Sequence, residues 1–541
     1  MIQRLHNFTR LCLLILGAGA LCMEAPSARG AAEGLERPSL PGADLFTTGV
    51  ILRLRIKLEP SAVENLRKEP REFVAAKVSE GSEVYPQVGV HLKGSVGSFR
   101  PIDDKPSLTL DFCRFQSGRK FHGLRRIHLN NSVEDPSRLN EQLGSELFVA
   151  AGVPAPRVTH ALVVLNGRAL GLYVLKEGFT EDFLARHFKQ CGGDLFEPEA
   201  GHDIDQHLKR NSVLGPTQGR AALTALAAAA QEPDSALRWR RLEGVLDTER
   251  FIRFMAMEIM LGHRDGYCLA RNNFRVYHDL DTGKMVFFPH GMDQLLGTAG
   301  LPWQPNLAGL VAKAVMDSPE GRQRYAATFT ALFTNLFQTE ALTNRVEQLA
   351  LALRPGLSGR EWTELRAEVA RVKERIVQRQ LDLQQQLHRP PLKLMEFEAG
   401  CGHPEGWRIA EVTNDGKMEQ IRGPDGVLAL HIVAKSDTVA SWRAKSLLRP
   451  GLYRFEGRVQ VVGVKPLSGG APQGATLRVG GRVRPSERLT GDSSWRVLGT
   501  EFQVERAADE VELICELRAR AGEAWFALDS LKLVALKIYE N

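Results

Sequence analysis

The sequence predicts a mixed α+β protein in which a β-rich region, a helical region and a second, all-β region follow one another. Short runs of alternating apolar and polar residues dominate up to about residue 175, a 3.6-residue apolar period dominates residues 221–388, and short alternating runs return after residue 392. With 541 residues, 43% hydrophobic and 25% charged, the chain has the composition of a globular protein. Its length predicts two or three domains, because single cores stop growing at roughly 250–300 residues.

The β-rich region is predicted from its turns as well as from its alternation. Asn166-Gly167 separates two apolar runs, which is the strongest short signal for a β-hairpin. A helix over residues 60–70 has Ser61 as a candidate N-cap, and a helix over residues 138–151 stops at Gly152. The predicted strands are residues 50–56, 84–93, 107–112, 159–165 and 168–175.

Helices are predicted to outweigh strands in the next region, which also contains a second hairpin. The predicted helices are residues 221–231, 247–262, 326–337, 339–353 and 360–388, and the hairpin strands are residues 273–278 and 285–288. The break at His388-Arg389-Pro390-Pro391 predicts a domain boundary, which gives domains over residues 49–390 and 395–541. Several short strands in the last 150 or so residues predict a β-sandwich.

The first 32 residues have the pattern of a secretory signal peptide: Arg4 and Arg10, a short apolar run, then small residues. Residues 33–48 are predicted to be a linker. We therefore expect a secreted, periplasmic or cell-surface protein; Cys22 leaves lipidation as an open alternative. The apolar run is shorter than the ~20 residues of a transmembrane helix, so no such segment is expected in the mature chain. The formal charge of +6 is spread without a basic block, which argues against a nucleic-acid partner.

Three clusters carry residues suited to catalysis or ligand binding. A glycine- and serine-rich turn over residues 93–98, followed by Lys105, can present backbone N–H groups and an ammonium to phosphates. Asp265 follows a helix, with Asn272 and Asn273 a few residues later, a pattern that suits a general base beside a metal. Asp293 leaves an apolar strand at a glycine turn, where a metal-binding carboxylate is often placed. Each cluster alone is also compatible with an ordinary turn.

Taken in order, these clusters and the motifs around them resemble the CotH family of atypical protein kinases, named after a spore-coat protein. The resemblance covers roughly residues 45–390. The motifs that carry it are Lys105-Pro106-Ser107, Phe121-His122-Gly123-Leu124, Leu129-Asn130-Asn131, Asp135-Pro136-Ser137, Gly152-Val153-Pro154, Gly171-Leu172-Tyr173, Asp265-Gly266-Tyr267, Asn272-Asn273 and Pro289-His290-Gly291-Met292-Asp293.

This resemblance implies a bilobal kinase-like domain, with a β-rich small lobe and a helical large lobe that hold ATP and Mg²⁺ between them. It implies transfer of the ATP γ-phosphate to a Ser or Thr hydroxyl of a protein. The implied roles are phosphate binding for Lys105, a hold on Lys105 for Glu141, a place near the adenine for Glu177, proton acceptance for Asp265, and Mg²⁺ binding for Asn272, Asn273 and Asp293. Many relatives carry Asp-x-Asp where this chain has Gly291-Met292-Asp293, so the first acid is absent.

Two other classes of function remain open at this stage. A non-catalytic surface protein could use the kinase-like scaffold for binding and the C-terminal domain for polysaccharide. That domain resembles jelly-roll carbohydrate-binding modules at residues 524–531, and Trp407, Trp442 and Trp495 are its candidate sugar-stacking residues, with core packing as the alternative. A hydrolase that uses Asp265 and Asp293 as paired acids has no matching motif.

Overall fold

A computed structural model describes residues 40–539 except for positions 48, 50, 96, 211–218, 298–299, 389–392, 413–415, 424, 468–472, 481–485 and 505–508. The predicted signal peptide and residues 33–39 of the predicted linker lie outside the described residues. The chain divides into two compact units, Met1–His388 and Arg389–Asn541. Helices and strands are mixed in the first unit, and strands dominate the second, so the α+β class is confirmed.

Seven strands of the first unit close into a barrel. Their bounds are Leu52–Leu58 (β1), Val74–Glu80 (β2), Glu83–Lys93 (β3), Ser107–Asp111 (β4), Arg126–Asn130 (β5), Val158–Leu165 (β6) and Arg168–Glu177 (β7). The order around the barrel is β1-β2-β3-β4-β5-β7-β6, in which β1 and β6 are parallel. Leu54, Ile56 and Leu58 point into the barrel core while the residues between them face outward, which is the two-residue period seen in the sequence.

The hairpin between β6 and β7 forms where Asn166-Gly167 predicts it. Both residues have positive φ, +48° and +83°, as the tight turns of two-residue hairpins require. The Asn166 side chain also accepts a 2.7 Å hydrogen bond from the Leu58 backbone N–H at the end of β1. The turn therefore fixes the register of β6 and β7 and secures the neighbouring strand.

The rest of the first unit is mainly helical and contains a second, four-stranded sheet of order β11-β10-β8-β9. The strands are Leu195–Pro198 (β8), Leu208–Arg210 (β9), Phe274–Asp279 (β10) and Lys284–Pro289 (β11). The α-helices of the unit are Ala43–Thr47 (α1), Pro60–Lys68 (α2), Asn140–Ala150 (α3), Glu181–Leu184 (α4), Ala221–Ala230 (α5), Ser235–Val245 (α6), Thr248–Met260 (α7), Tyr267–Ala270 (α8), Leu310–Asp317 (α9), Pro319–Leu336 (α10), Thr339–Leu353 (α11) and Gly359–Leu387 (α12).

Helix α7 connects this sheet to the helical core. Its Phe251 and Phe254 pack against Phe287 of β11, with ring centroids 4.7 and 5.9 Å apart. Asp247 caps the helix by accepting a hydrogen bond from the Arg250 N–H. The aromatic contacts hold the end of α7 and the β10–β11 hairpin in one rigid body, which places the loops that follow each of them.

Three details of the sequence prediction are wrong in this unit. Residues 43–47 of the predicted linker form α1, whose Leu45 is buried in the barrel core; five residues are too few to show a helical period. Helix α2 begins with Pro60, after Glu59 as N-cap, rather than at Ser61. Helix α10 begins at Pro319, seven residues before the predicted start, because proline suits the first helical position.

The second unit has two antiparallel sheets that share one core. One sheet has the order β12-β22-β17-β21-β15-β14, with β19 also paired to β17, and the other has the order β13-β16-β20-β18. The strands are Cys401–Gly402 (β12), Arg408–Val412 (β13), Lys417–Arg422 (β14), Leu428–Ala434 (β15), Thr438–Leu448 (β16), Gly451–Lys465 (β17), Gly474–Val479 (β18), Gly491–Val504 (β19), Asp509–Ala519 (β20), Ala521–Ala527 (β21) and Lys532–Ile538 (β22).

Within the described part of the chain, no helix is both long enough and apolar enough to cross a membrane. The five cysteines in that part are free thiols: Cys113, Cys191, Cys268, Cys401 and Cys515. The described parts of the two units are therefore stabilised by their apolar cores rather than by disulfide bonds.

We predict that residues 40–388 and 393–541 each fold when expressed alone, because the core clusters of the chain fall entirely within one unit or the other. Each fragment should show a cooperative thermal transition by circular dichroism, and the full chain should show both. A fragment that lacks a cooperative transition would mean that the division does not separate folding units.

Candidate active site

The β10–β11 hairpin brings two predicted site segments to the same end of a sheet. Phe274, the first residue of β10, pairs with Pro289, the last residue of β11, and the His290 N–H donates a 2.9 Å hydrogen bond to the Asn273 carbonyl. Residues just before β10 and just after β11 must therefore lie side by side. This places the Asn272-Asn273 pair next to the turn that leads to Asp293.

Asp265 is held by both of these asparagines. Its Oδ2 atom accepts hydrogen bonds from Asn272 Nδ2 at 2.9 Å and from Asn273 Nδ2 at 2.7 Å. Asn273 has a φ of +45°, in the left-handed region that asparagine tolerates better than most residues. Because the amide N–H groups of Asn272 and Asn273 point to Asp265, their amide oxygens are the atoms left to face a cation or a polar ligand.

The carbonyl oxygen of Gly291 joins the Asp265 loop to the turn that precedes Asp293. His263 Nε2 lies 3.0 Å from it, and Asn273 Nδ2 lies 3.5 Å from it. Gly291 has a φ of +55°, and a Cβ at this position would lie 2.5 Å from the Asn273 side chain. Glycine is thus required both by the backbone conformation and by the close approach of Asn273.

A buried carboxylate, Glu258 of α7, shapes the loop that carries Asp265. It accepts backbone hydrogen bonds from Tyr267 at 3.0 Å and Cys268 at 2.8 Å, and it lies 3.5 Å from His263 Nδ1. Burial alone would lower the pKa of His263, but the Glu258 carboxylate, together with the Gly291 carbonyl and Asp293, more than offsets burial and raises the pKa. Tyr267 is fixed in turn by a 3.0 Å hydrogen bond from its hydroxyl to Asp203.

The ion pair at the base of the barrel joins Glu141 to Lys176, not to Lys105 as the resemblance implied. Glu141 of α3 and Lys176 of β7 are 2.7 Å apart, and both side chains are almost completely buried. Lys105 instead donates a 3.0 Å hydrogen bond to the Leu172 carbonyl and lies over the Tyr173 ring. Burial and then nearby Arg138 lower the Lys105 pKa to about 8.

Helix α3, which carries Glu141, is also fastened to the Asp293 turn. Asn140 Nδ2 donates a 2.6 Å hydrogen bond to the Asp293 carbonyl. A Cβ at Gly144 would lie 2.7 Å from Leu295 and 3.1 Å from Met292, so the helix and the turn touch closely. The positions of the ion pair and of Asp293 are therefore set by the same helix.

Asp293 lies in a partly buried, acidic environment. Burial, followed by the charges of Glu141 and Glu134, raises its pKa to about 7, while Lys176 acts in the opposite direction. A cation would relieve this repulsion. Among the described residues, no group of three or more His, Cys, Asp or Glu side chains is arranged to hold a metal ion. A metal here would thus depend on Asp293, the asparagine oxygens and the ligand itself, as is common for Mg²⁺ bound with phosphates.

Glu177 ends β7, and its buried carboxylate is matched by two arginines. Arg157 is 2.7 Å from one carboxylate oxygen and Arg186 is 2.6 Å from the other. Both oxygens of its side chain are thus paired with arginine side chains. The predicted place of Glu177 beside an adenine stays a prediction.

Four residues that shape the site were given no role in the sequence analysis: Lys93, Asn130, Lys176 and Glu258. Glu258 lies between Met257 and Ile259, and Lys176 directly follows an apolar run that ends at Leu175; a charged residue within or at the end of an apolar run is the signal that could have identified them. Asn130 and Lys93 end strands β5 and β3, and nothing in their local sequence shows that these strand ends meet.

The comparisons with known proteins agree with these motifs. A family model described as CotH kinase protein matches residues 90–380, more than half of the chain. Invasin CotH2 of Rhizopus delemar is 26% identical over 268 residues, which cover 43% of this chain and 44% of the invasin. Inner spore coat protein H of Bacillus subtilis is 23% identical over 266 residues, which cover 44% of this chain and 71% of that protein. The match thus spans less than half the length of the invasin.

Similar solved structures have low scores. A proinflammatory kinase of Helicobacter pylori, CtkA, matches with a TM-score of 0.26 and 6% identity over 54% of this chain and 96% of the other. TmCBM61, solved with β-1,4-galactotriose, matches with a TM-score of 0.18 and 16% identity over 25% of this chain and 92% of the other. Neither score supports an argument about this protein. The extent of the family match does, and the chain belongs to the CotH kinase protein family.

Proposed function

We propose that this protein is a kinase that transfers the γ-phosphate of ATP to a Ser or Thr hydroxyl of a protein. The observation that carries the proposal is the buried Lys176–Glu141 pair, which α3 holds next to Asp293. A lysine–glutamate pair between a strand and a helix, together with a metal-binding aspartate, is what positions ATP phosphates in protein kinases. Membership of the CotH kinase protein family supports the same reaction class.

Asp265 would accept the proton of the attacking hydroxyl. Its two asparagine partners bind one oxygen, Oδ2, and so fix the orientation of the carboxylate. A carboxylate with a fixed orientation can hold the acceptor hydroxyl in line with the γ-phosphate, and phosphoryl transfer depends mainly on such positioning.

Mg²⁺ would be held by Asp293 and by the amide oxygen of Asn272 or Asn273, whose N–H groups are already directed to Asp265. When bound, this ion would neutralise charge on the β- and γ-phosphates. The raised pKa of Asp293 fits this role, because the carboxylate lies among other acids and gains from a cation. The positive charge of Lys176 would stabilise the negative charge of the phosphates. The sequence resemblance had given this phosphate-binding role to Lys105.

We further propose that the protein acts outside the cytoplasm. This rests on the signal-peptide pattern of residues 1–32, and it agrees with the names of two relatives, an invasin and a spore coat protein. The acceptor protein would then be another exported or surface protein.

A second candidate function, polysaccharide binding, is favoured by a row of side chains on the outer face of one sheet in the second unit. Glu419, His431, Trp525 and Gln460 are successive cross-strand partners on β14, β15, β21 and β17. Beside this row, half-buried Trp495 donates a 2.5 Å hydrogen bond from its indole N–H to Asp425. An aromatic ring can stack on a sugar, and a carboxylate beside it can accept hydrogen bonds from the sugar hydroxyls.

The other candidate tryptophans do not have this setting. Trp442 is only 6% exposed and belongs to the core, and Trp407 packs against that core. For Trp442 the alternative of core packing is thus the one that the structure shows.

We predict that Asp293→Asn and Asp265→Asn each lower phosphate transfer by roughly 10²–10³-fold, because each removes a charge directed at the reacting groups. Purified protein with labelled ATP and Mg²⁺ is the assay, with self-labelling as the first readout. Asp103→Asn is the matched control, since Asp103 is exposed and pairs with Arg67 on the barrel surface. Transfer by Asp293→Asn at the wild-type rate would contradict the site, and no transfer by the wild type would contradict the reaction.

The pH dependence of stability gives a second test that needs no activity. Because the folded-state pKa of Asp293 is raised to about 7, the folded protein binds an extra proton between about pH 4 and 7 and loses stability as pH rises through that range. In EDTA, Asp293→Asn should therefore melt at nearly the wild-type temperature at pH 5 and a few degrees higher at pH 8. Asp103→Asn should not gain stability at pH 8. An equal effect of Asp293→Asn at both pH values would rule out the raised pKa.

For the second candidate, we expect Trp495→Ala to weaken binding of the chain to insoluble polysaccharides by about 10-fold or more in sedimentation assays. Val497→Ala, at a 65% exposed position on the same strand, is the control and should bind like the wild type. If the wild type binds none of a panel of plant, fungal and bacterial polysaccharides, the second unit has another role.

A further inference from the structure

A second lysine, Lys93, is connected to the same site by a chain of hydrogen bonds. Lys93 is the last residue of β3, and its Nζ atom donates a 2.5 Å hydrogen bond to Asn130 Oδ1 at the end of β5. Asn130 Nδ2 in turn lies 3.4 Å from Glu141 Oε1, and the other oxygen of Glu141 binds Lys176. The two lysines thus flank one glutamate, with an asparagine inserted on the Lys93 side.

The two lysines differ in what they offer to a ligand. The Lys176 side chain is 0% exposed and is matched by a carboxylate. Lys93 is half-buried, and its hydrogen-bond partner Asn130 is neutral. A partly desolvated ammonium without a directly bound carboxylate carries positive charge that an anion can match at little further cost.

The surroundings of Lys93 indicate the kind of anion. The loop that follows it contains Gly94 and Gly97, both with positive φ, and Gly97 comes so close to Glu134 that a Cβ would lie 2.4 Å from that carboxylate. The charge of Glu134 raises the pKa of Asp293, and the charge of Asp293 acts on Lys93. Lys93, the glycine loop beside Glu134 and the proposed metal ligand are therefore within electrostatic range of one another.

We propose that Lys93 is the lysine that contacts the nucleotide phosphates directly, and that Asn130 is a positioning residue that holds Lys93 and links it to Glu141. The proposal rests on the proposed function, since it names a phosphate-binding residue of that same site. In this arrangement Lys176 supplies positive charge from its buried position in β7, while Lys93 reaches the ligand from the end of β3.

The electrostatics of Lys93 agree with this role. Burial, and then the positive charge of Lys176, lower the pKa of Lys93 to about 7, while Glu141 and Asp293 act in the opposite direction. An anion placed beside Lys93 would favour its charged form, so phosphate binding and protonation of Lys93 should support each other.

The test compares ligands that differ only in their phosphates. ATP, ADP, AMP and adenosine are titrated into the full chain by calorimetry with Mg²⁺ present. Lys93→Met should weaken ATP binding on the order of 10- to 100-fold, as expected for a lost charge-assisted hydrogen bond, and leave adenosine binding unchanged. Lys93→Arg should retain most of the ATP affinity. Lys105→Met is the matched control, because Lys105 is occupied by the Leu172 carbonyl and should not affect the preference for phosphates.

Asn130 is tested by a double-mutant cycle. If Asn130 acts through Lys93, Asn130→Ala should weaken ATP binding in the wild type but have little further effect in Lys93→Met. A purely structural role of Asn130 would instead lower ATP and adenosine binding alike. Additive effects of the two substitutions on ATP binding would overturn the positioning role.

A measurement on the wild type keeps the proposal testable if the variants do not fold. An amine-reactive reagent followed by mass spectrometry should label Lys93, and ATP should protect it while adenosine should not. ATP binding and phosphate transfer with no protection of Lys93 would overturn this inference and leave the proposed function intact. Failure of the wild type to bind any nucleotide would overturn both.

Discussion

The buried contact between Lys176 and Glu141 fixes the relation between the barrel and helix α3, and the rest of the site depends on it. Removing two charges from water costs several kcal/mol per ion, so such a pair is tolerated only where its geometry is good. Here the charged atoms are 2.7 Å apart, and Asn130 approaches the second oxygen of Glu141. A shift of α3 along the barrel would separate the charges while both stayed buried, so the pair strongly restricts where the helix can lie.

Contacts of helix α3 also position the two candidate catalytic residues, Asp293 and Asp265. Asn140 holds the Asp293 carbonyl, and Gly144 allows the turn after β11 to approach the helix closely. The Gly291 carbonyl oxygen then contacts the side chains of His263 and Asn273, and the Asn273 side chain orients Asp265 by a hydrogen bond. A single connected set of contacts thus runs from the barrel to both aspartates. Small shifts in the barrel would therefore be transmitted to the distance between Asp265 and Asp293.

The sequence predicted local structure and chain order well and side-chain partners poorly. The Asn166-Gly167 hairpin, helix α7 and the β10–β11 hairpin follow from turn chemistry and periodicity, which act over a few residues. The partner of Glu141 could not be predicted in this way, because Lys105 and Lys176 lie 36 and 35 positions away along the chain and each lies close to one end of a strand. The contact of Lys176 with Glu141 depends on long-range strand pairing, such as that of β5 with β7, which a local sequence pattern does not reveal. Motif order alone led to the wrong lysine.

The balance of charge in the site bears on what can bind there. Glu141 is matched by Lys176, whereas half-buried Asp293 feels the negative charge of Glu134 and acts in turn on the positive charge of Lys93. A free metal ion would satisfy the acids and leave Lys93 repelled, and a free polyphosphate would satisfy Lys93 and be repelled by the acids. A ligand that carries a divalent cation and phosphates together satisfies both sides at once, because each charged group then has a partner of opposite sign. Burial and charges of like sign raise the pKa of Asp293 and lower that of Lys93, so under the proposed function a metal–nucleotide complex would counter both shifts at once, which neither component would do alone.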